Sequence, residues 1–182
     1  MPISLASTAL CGHGWQRIRL TLDAELPDLK PLQHTAPPKA YESDDQIRIV
    51  VYGYEVSDKD ADDYKYSSGD LLERKLSRKN REEKPIYSPS NKKIYGLDHY
   101  ISDRSIPIFS GDIYAAKADN GDVDFYLECF ENKEKINRYW NCNSNDLMIK
   151  PGISYRYYYN SQYLPDARKI HNQVQQMIKF KE

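Results

Sequence analysis

The chain has 182 residues, a length that fits one domain with a substantial hydrophobic core. Its 26 basic and 27 acidic side chains give a formal net charge of -1, which removes any general attraction to nucleic acid or to anionic membranes. Partners must therefore be recognised locally, by particular side chains. The 16 tyrosines fit two interpretations, because tyrosine favours β-strands and also supplies contact area at binding surfaces.

The first 14 residues, MPISLASTALCGHG, are mostly apolar and small, as in the last part of a signal peptide. A secretory signal carries basic residues before its apolar stretch, but no lysine or arginine precedes Arg17. Leu10 also stands where a bacterial lipoprotein signal has a small residue before its lipidated cysteine. We therefore predict a truncated signal or lipoprotein-anchor region at 1–14, followed by a single β-rich domain at 15–182. Cys11 is either the lipid anchor or an ordinary thiol.

Two segments in the first third of the chain have the period-2 alternation of half-buried strands. They are WQRIRLTL, with Ile18, Leu20 and Leu22 on one side, and QIRIVVYGYEV, with Ile47, Ile49 and Val51 on one side. The segment at 27–44 between them is rich in proline and predicts an extended connector. Gly53 in the second strand indicates a β-bulge. Shorter strands are predicted at KPIYS, KKIYGL and SIPIFS.

An acidic segment, EVSDKDADDYKYSSGD, precedes a basic one, ERKLSRKNREEK, and their charges either face each other or solvate a long loop. Glutamates interrupt the basic run, which argues against binding along a nucleic-acid backbone. The alternate aspartates resemble the first half of a calcium loop, but Asp63 replaces its glycine and Gly69 replaces its closing glutamate, so we predict no metal site. Charged loops speed association and tyrosines anchor interfaces. The segment is therefore our candidate for partner binding, through Asp58, Asp60, Asp62, Asp63, Tyr64 and Tyr66.

The segment DIYAAKADNGDVDFYLECF predicts a β-hairpin, because Asn120-Gly121 is a strong turn signal between two alternating strands. Counting from the turn places Lys117 opposite Asp124 and puts a row of side chains on one face: Val123, Phe125, Leu127 and Cys129. If INRYWNCN returns as the next antiparallel strand, Cys142 lies opposite Cys129 at a separation that fits a disulfide. The alternative is two reduced cysteines in the core. A disulfide indicates an oxidising compartment, and we expect the periplasm.

The remaining sequence predicts two more strands and a terminal helix. DLMIKPGISYRYYYNSQYL forms the strands around the turn dipeptide Pro151-Gly152. PDARKIHNQVQQMIKF forms an amphipathic helix with Pro165 in its first turn and an apolar stripe made of Ala167, Ile170, Val174, Met177 and Ile178. The stripe either covers one face of the sheet, which we favour, or docks a partner. The predicted fold class is mainly β, an antiparallel β-sandwich-like domain with a C-terminal amphipathic helix.

Residues for catalysis or cofactor binding are sparse in this sequence. The histidines have no metal-ligand spacing, and no nucleotide-binding or nucleophile-elbow motif occurs. The one local group of histidine and carboxylate is Asp98, His99 and Asp103, with Ser102 and Ser105 nearby. Residues adjacent in sequence seldom face one another on a strand, so we predict that the protein is not an enzyme and binds no cofactor. A small hydrolase centred on Asp98 and His99 is the less favoured alternative.

The segment YWNCNSNDLMIKPGISYRYYY joins a cysteine to a Pro-Gly turn and a tyrosine-rich strand, through Cys142, Pro151, Gly152, Tyr155 and Tyr158. It resembles the C-terminal half of small bacterial periplasmic lipoproteins thought to be immunity proteins of type VI secretion. The resemblance implies a β-sandwich tethered to a membrane at an N-terminal cysteine, here Cys11. It also implies that the protein neutralises a toxin delivered into the periplasm.

The expected function is an extracytoplasmic protein that binds a cognate secreted toxin, a type VI effector, and occludes its active site. A rigid scaffold with a complementary surface is sufficient for this role, which fits the absence of catalytic motifs. The alternative is a periplasmic lipoprotein whose strand at 155–159 stacks its tyrosines on a glycan or a cell-wall ligand.

Overall fold

The computed structural model describes residues 6–7, 17–31, 45–54, 66–105, 111–130, 141–150 and 152–178. The strands in chain order are β1 (Ala6–Ser7), β2 (Arg17–Glu25), β3 (Lys30–Pro31), β4 (Gln46–Tyr54), β5 (Tyr87–Ile94), β6 (Leu97–Ser102), β7 (Asp112–Lys117), β8 (Val123–Cys129), β9 (Cys142–Ser144), β10 (Leu147–Lys150) and β11 (Ile153–Tyr159). The helices are α1 (Ser68–Leu76) and α2 (Ala167–Ile178), and a 3₁₀ helix at Ser161–Asp166 leads into α2.

All of these strands belong to one antiparallel sheet with the order β1-β2-β4-β11-β9-β8-β7-β6-β5. Two short strands lie off this path, since β3 pairs with β2 and β10 pairs with β11. The sheet is open, because β1 and β5 at its two edges do not pair with each other. The predicted mainly-β class, with antiparallel strands and a C-terminal helix, is confirmed.

The pair formed by β4 and β11 contributes much of the main core, and the two strands stay in register along the whole of β11. Ile47 and Ile49 are fully buried on the core side as predicted, but Arg48 and Val50 on the other side are buried as well, so β4 is not the half-buried strand that was predicted. Gly53 makes no bulge, because β4 keeps an unbroken register with both of its neighbours there.

The tyrosine-rich strand β11 forms part of the core. Tyr157 and Tyr159 are fully buried, and Tyr155 is 4% exposed. Buried rings cannot stack on a sugar, so the interpretation of this strand as a glycan platform is wrong for these three tyrosines. Their hydroxyls lose water on burial, which raises the pKa of Tyr155 to about 12 and that of Tyr157 well above its ordinary value.

The regions predicted as an anchor and as a connector each contribute a short strand to the sheet. In the anchor region, β1 pairs with β2 through Ala6 opposite Thr21. In the connector, residues 27–31 form a turn and β3, which pairs with β2 through Pro31 opposite Ala24. Residues 32–44 lie outside the described residues.

Helix α2 covers the face of the sheet that carries the main core. Its buried residues match the predicted stripe at Ala167, Ile170, Val174 and Ile178. Met177 does not, because 40% of its surface is exposed. The predicted role of the stripe as a cover for the sheet is therefore correct.

Helix α1 lies on the opposite face of the sheet. Alternation along β7 places Ala116 in the main core with α2 and Ala115 in a second apolar cluster with Leu72 of α1. No helix was predicted in this charged region, because charged residues obscure its few apolar positions. Its N-terminus nevertheless carried a recognisable signal, the pair Ser67 and Asp70 three residues apart, which is typical of a capping box.

The segment KKIYGL, predicted as a strand, contains the turn between β5 and β6. Tyr95 and Gly96 occupy that turn with φ of 53° and 76°. Positive φ at both central residues is what a type I′ hairpin turn requires, but tyrosine is an unusual residue for the first of them. The strand predicted at SIPIFS falls almost entirely outside the described residues.

The hairpin of β7 and β8 is confirmed, with a register that differs from the prediction. An irregularity after Ala116 pairs Lys117 with Val123 instead of Asp124. Lys117 forms its ion pair with Asp98 on β6, at 2.9 Å. Val123 consequently packs against the second apolar cluster, away from the face that Phe125, Leu127 and Cys129 share.

Candidate partner-binding surface

Three exposed features meet at one end of the sheet. The turn at Tyr95-Gly96 joins β5 to β6, and the turn at 118–122 joins β7 to β8. Asp98 on β6 pairs with Ala115 on β7, and continuing this register towards the turns places the two turns side by side near Lys117. The third feature is the start of α1, where the Ser68 hydroxyl donates to the carbonyl oxygen of Asp124 at 2.7 Å. We refer to these two turns and the first turn of α1 as the hairpin end.

Tyr66, which precedes α1, is the one predicted partner-binding residue that the structure describes. Its side chain is 47% exposed, and the Arg74 guanidinium lies 4.7 Å from the centre of its ring. This cation-π contact holds the ring in place while leaving much of it accessible. The other predicted residues, Asp58, Asp60, Asp62, Asp63 and Tyr64, lie outside the described residues.

A capping box fixes the start of α1 beside Tyr66. Ser67 accepts a hydrogen bond from the Asp70 backbone N–H at 3.1 Å, and the Asp70 carboxylate accepts one from the Ser67 backbone N–H at 2.8 Å. The Ser67 hydroxyl also donates to this carboxylate, and these bonds hold the pKa of Asp70 below its ordinary value.

Replacing Ser67 with alanine is expected to lower the free energy of unfolding by roughly 1 kcal/mol, because the first turn of α1 loses its cap. Amide exchange in α1 should accelerate relative to exchange in β8. Ser77→Ala is the matched control, since Ser77 bonds the carbonyl of Arg74 at the other end of the helix. Equal losses of stability in the two variants would contradict the role of the cap.

Lysines surround the turn at Tyr95-Gly96. The Asp98 carboxylate lies 3.7 Å from the Lys93 amine and 2.9 Å from the Lys117 amine. The hydrogen bond and the charge of Asp98 raise the pKa of Lys117. Lys92 is also exposed on the same strand, and the exposed Asp119 and Asp122 lie in the neighbouring turn. Tyr95 was not predicted as a site residue, because the segment around it was predicted as a strand.

The predicted histidine and carboxylate group has a different arrangement in the structure. His99 contacts Asp112 instead of Asp98, with Nε2 lying 3.2 Å from Oδ2. Ser102 donates to the same carboxylate from its backbone N–H at 3.0 Å and from its hydroxyl at 3.2 Å, and Arg104 donates at 3.1 Å.

In this arrangement Asp112 ties the end of β6 to the start of β7. A Ser-His pair for catalysis needs the hydroxyl to contact the imidazole, whereas here both groups point at one carboxylate. Asp103 accepts hydrogen bonds from its neighbour Ser105 and so holds a local turn. The geometry favours a structural anchor over the hydrolase centre.

The predicted disulfide between Cys129 and Cys142 is present. The two cysteines face each other directly across β8 and β9, with Cα atoms 4.0 Å apart. Cys142 is fully buried and Cys129 is 8% exposed. Asn141 strengthens the same junction, because its side chain donates to the carbonyl oxygen of Phe130 at 3.2 Å and to the Ser161 hydroxyl at 2.8 Å.

The described ranges contain no group of three or more histidine, cysteine, aspartate or glutamate side chains that could hold a metal ion. Neither of the described helices has the length and apolar character needed to cross a membrane.

Comparison with known proteins identifies a likeness in fold. No protein-family profile matches the sequence, and no curated protein matches it. The structure is similar to that of an immunity protein of the type IV secretion system of Stenotrophomonas maltophilia, with a TM-score of 0.56 and 16% sequence identity. The likeness covers 88% of this chain and 80% of the other. At this level of identity it establishes a shared fold.

Proposed function

We propose that this chain is an extracytoplasmic immunity protein, which binds a cognate secreted toxin and occludes its active site. The observation that carries the proposal is the likeness in fold, across 88% of the chain, to an immunity protein of a type IV secretion system. The disulfide supports the location, because such bonds form and persist in oxidising compartments such as the periplasm.

The proposed contact with the toxin lies at the hairpin end. The acidic segment with Asp58, Asp60, Asp62 and Asp63 leads along the chain into Tyr64 and Tyr66. In this proposal the aspartates speed association with a basic patch on the toxin, and the tyrosines supply buried contact area. Tyr66 suits such a role, since Arg74 already orders its exposed ring before any partner binds.

The proposal does not depend on one secretion route. The sequence resemblance favours type VI delivery, whereas the neighbour in fold belongs to a type IV system. Lipid attachment at Cys11 is part of the proposal, because a tether would hold the protein at the membrane that an incoming toxin reaches. The intact mass of protein recovered from its native host reports the acyl chain directly, and an unmodified Cys11 would contradict the tether.

The test is a protection assay in a bacterium that exports both proteins. Toxins encoded beside this gene, or delivered by the type IV and type VI systems of the same organism, are directed to the periplasm with and without the chain. We expect the chain to restore growth against one toxin and to form a complex with it by calorimetry. Failure to bind or neutralise any of these toxins would overturn the proposed function.

Replacing Asp60, Asp62 and Asp63 with serine is expected to slow association with the neutralised toxin and to flatten its dependence on salt. The dissociation rate should change less, because these charges act mainly before contact. Stopped-flow measurements at several salt concentrations provide both rates. An unchanged association rate with the same salt dependence would place the contact elsewhere.

A further inference from the structure

Tyr95 holds a backbone conformation that the fold itself does not require of a tyrosine. Its φ of 53° lies in the left-handed region, which bulky residues rarely adopt because the Cβ atom crowds the backbone. Asparagine followed by glycine is the favoured pair for such a turn. The chain meets the same requirement with an asparagine at Asn91, where φ is 58°. A tyrosine at this position therefore destabilises the turn relative to an asparagine.

No hydrogen bond, ion pair or ring contact of Tyr95 in the described residues offsets this cost. Leu29 also has a positive φ, of 51°, but its side chain is 8% exposed and packs in the main core. Glu83, at 60°, reaches Lys79 through an ion pair. Tyr95 is 60% exposed, the highest value for a large apolar side chain in the described residues, and it makes no hydrogen bond or ring contact there.

We propose that Tyr95 anchors the protein to its toxin by inserting its ring into an apolar pocket of that toxin. This inference rests on the proposed function and deepens it. Strain kept at an exposed residue is typical of functional sites, and an exposed tyrosine on a rigid turn is a favourable anchor. Lys93 and Lys117 pair with Asp98 beside the turn, and the exposed Asp119 and Asp122 lie in the adjacent turn, so the charges around Tyr95 balance and its apolar ring is the feature left for the partner.

The hairpin end gives this anchor a consistent setting. Tyr66 lies at the same end of the sheet, because α1 begins against Asp124 beside the adjacent turn. Two exposed tyrosines at one end of the sheet give the toxin two ordered contacts, which fix its orientation as well as its affinity.

The test separates strain from binding with the substitution Tyr95→Asn. Asparagine relieves the backbone and removes the ring, so the urea midpoint of unfolding should rise while the affinity for the neutralised toxin falls at least tenfold. Tyr95→Phe keeps both strain and ring, so its midpoint should match wild type and its affinity should lie closer to wild type. Met177→Asn, which alters an exposed side chain on α2, is the control and should leave affinity unchanged.

The outcomes distinguish the two proposals. If wild-type protein binds a toxin and Tyr95→Asn binds it equally well, the anchor is wrong and the immunity function stands. If the midpoint of Tyr95→Asn falls or stays constant, the strain that motivates the anchor is absent and the inference is overturned, whether or not a toxin is bound. If wild-type protein binds no toxin, the immunity function fails, and the anchor for that toxin fails with it.

Discussion

Replacing both Cys129 and Cys142 with alanine is expected to lower the free energy of unfolding by roughly 3 kcal/mol. The bond links residues 13 apart in sequence, and the chain-entropy account gives this value for a closed loop of that size. Alanine avoids placing a new hydroxyl at the fully buried position of Cys142. Urea unfolding of the variant and of wild-type protein measures the difference.

The third cysteine provides the matched control for the disulfide. Cys11→Ala removes a sulfur that is not in the bond and should leave stability unchanged. Wild-type protein unfolded in the presence of a reductant should approach the stability of the double variant, and its intact mass should rise by two hydrogens. If the double variant unfolds at the wild-type urea concentration, the bond contributes nothing to the fold.

The second large effect is a loss of stability in acid that depends on His171. This side chain is fully buried, stacked on Phe125 with ring centres 4.1 Å apart. Its Nδ1 lies 3.1 Å from the Tyr157 hydroxyl, and its Nε2 lies 3.6 Å from the Asp124 carboxylate. The Asp124 carboxylate beside Nε2 favours the tautomer with its proton on Nε2, in which Nδ1 accepts a hydrogen bond from the Tyr157 hydroxyl.

Burial lowers the pKa of His171 from 6.5 to about 4, against the opposing charge of Asp124. The unfolded chain therefore takes up this proton near pH 6.5, while the folded chain resists it until about pH 4. The free energy of unfolding should fall as the pH drops through this window, by about 3 kcal/mol in total. Above pH 6.5 both states are neutral, and this residue contributes no slope.

Urea unfolding at a series of pH values tests the effect of His171. In His171→Gln the part of the acid loss between pH 6.5 and 4 that belongs to this residue should disappear, although the variant is less stable at pH 7 because it loses the stacked ring. His34→Gln is the control and should keep the wild-type slope. In Asp124→Asn the window should extend to lower pH, since the carboxylate that favours the imidazolium is gone. Identical slopes in wild type and His171→Gln would contradict the assignment.

Local chemistry predicted several elements of this fold correctly. Asn120-Gly121 specified the hairpin of β7 and β8, and period-2 alternation identified β2 and β4. The facing positions of Cys129 and Cys142 followed from counting along antiparallel strands. Helical spacing of apolar residues identified α2. In each case the signal lies within a few residues of the element that it specifies.

Other elements depended on contacts between distant residues. The apolar patterns of β4 and β11 define the buried face of each strand, but they do not specify that these two strands pair. The pairing of Ile49 with Tyr157 could therefore not be deduced. The irregularity after Ala116 shifts the strand partner of Lys117 to Val123. The Lys117 side chain pairs with Asp98, which belongs to another hairpin. Helix α1 needed the capping box as its signal, because its apolar residues are few.

The candidate surface was predicted in part. The charge of the acidic segment and the aromatic character of Tyr66 were readable, and Tyr66 is exposed. Tyr95 was missed because a tyrosine is not expected at a position with positive φ. Because a tyrosine stands where asparagine or glycine is usual, the sequence did not indicate a turn. The same unusual residue makes Tyr95 the strongest candidate for an anchor.

The central pairing of β4 with β11 governs the order in which this chain can fold. Ile47 and Ile49 pair with Tyr159 and Tyr157, which are synthesised more than a hundred residues later. The local hairpins can form early, whereas closing the core must await the last strand, which slows folding and leaves β4 without its partner until then. In the proposed extracytoplasmic role, the chain would cross the membrane before its core closes.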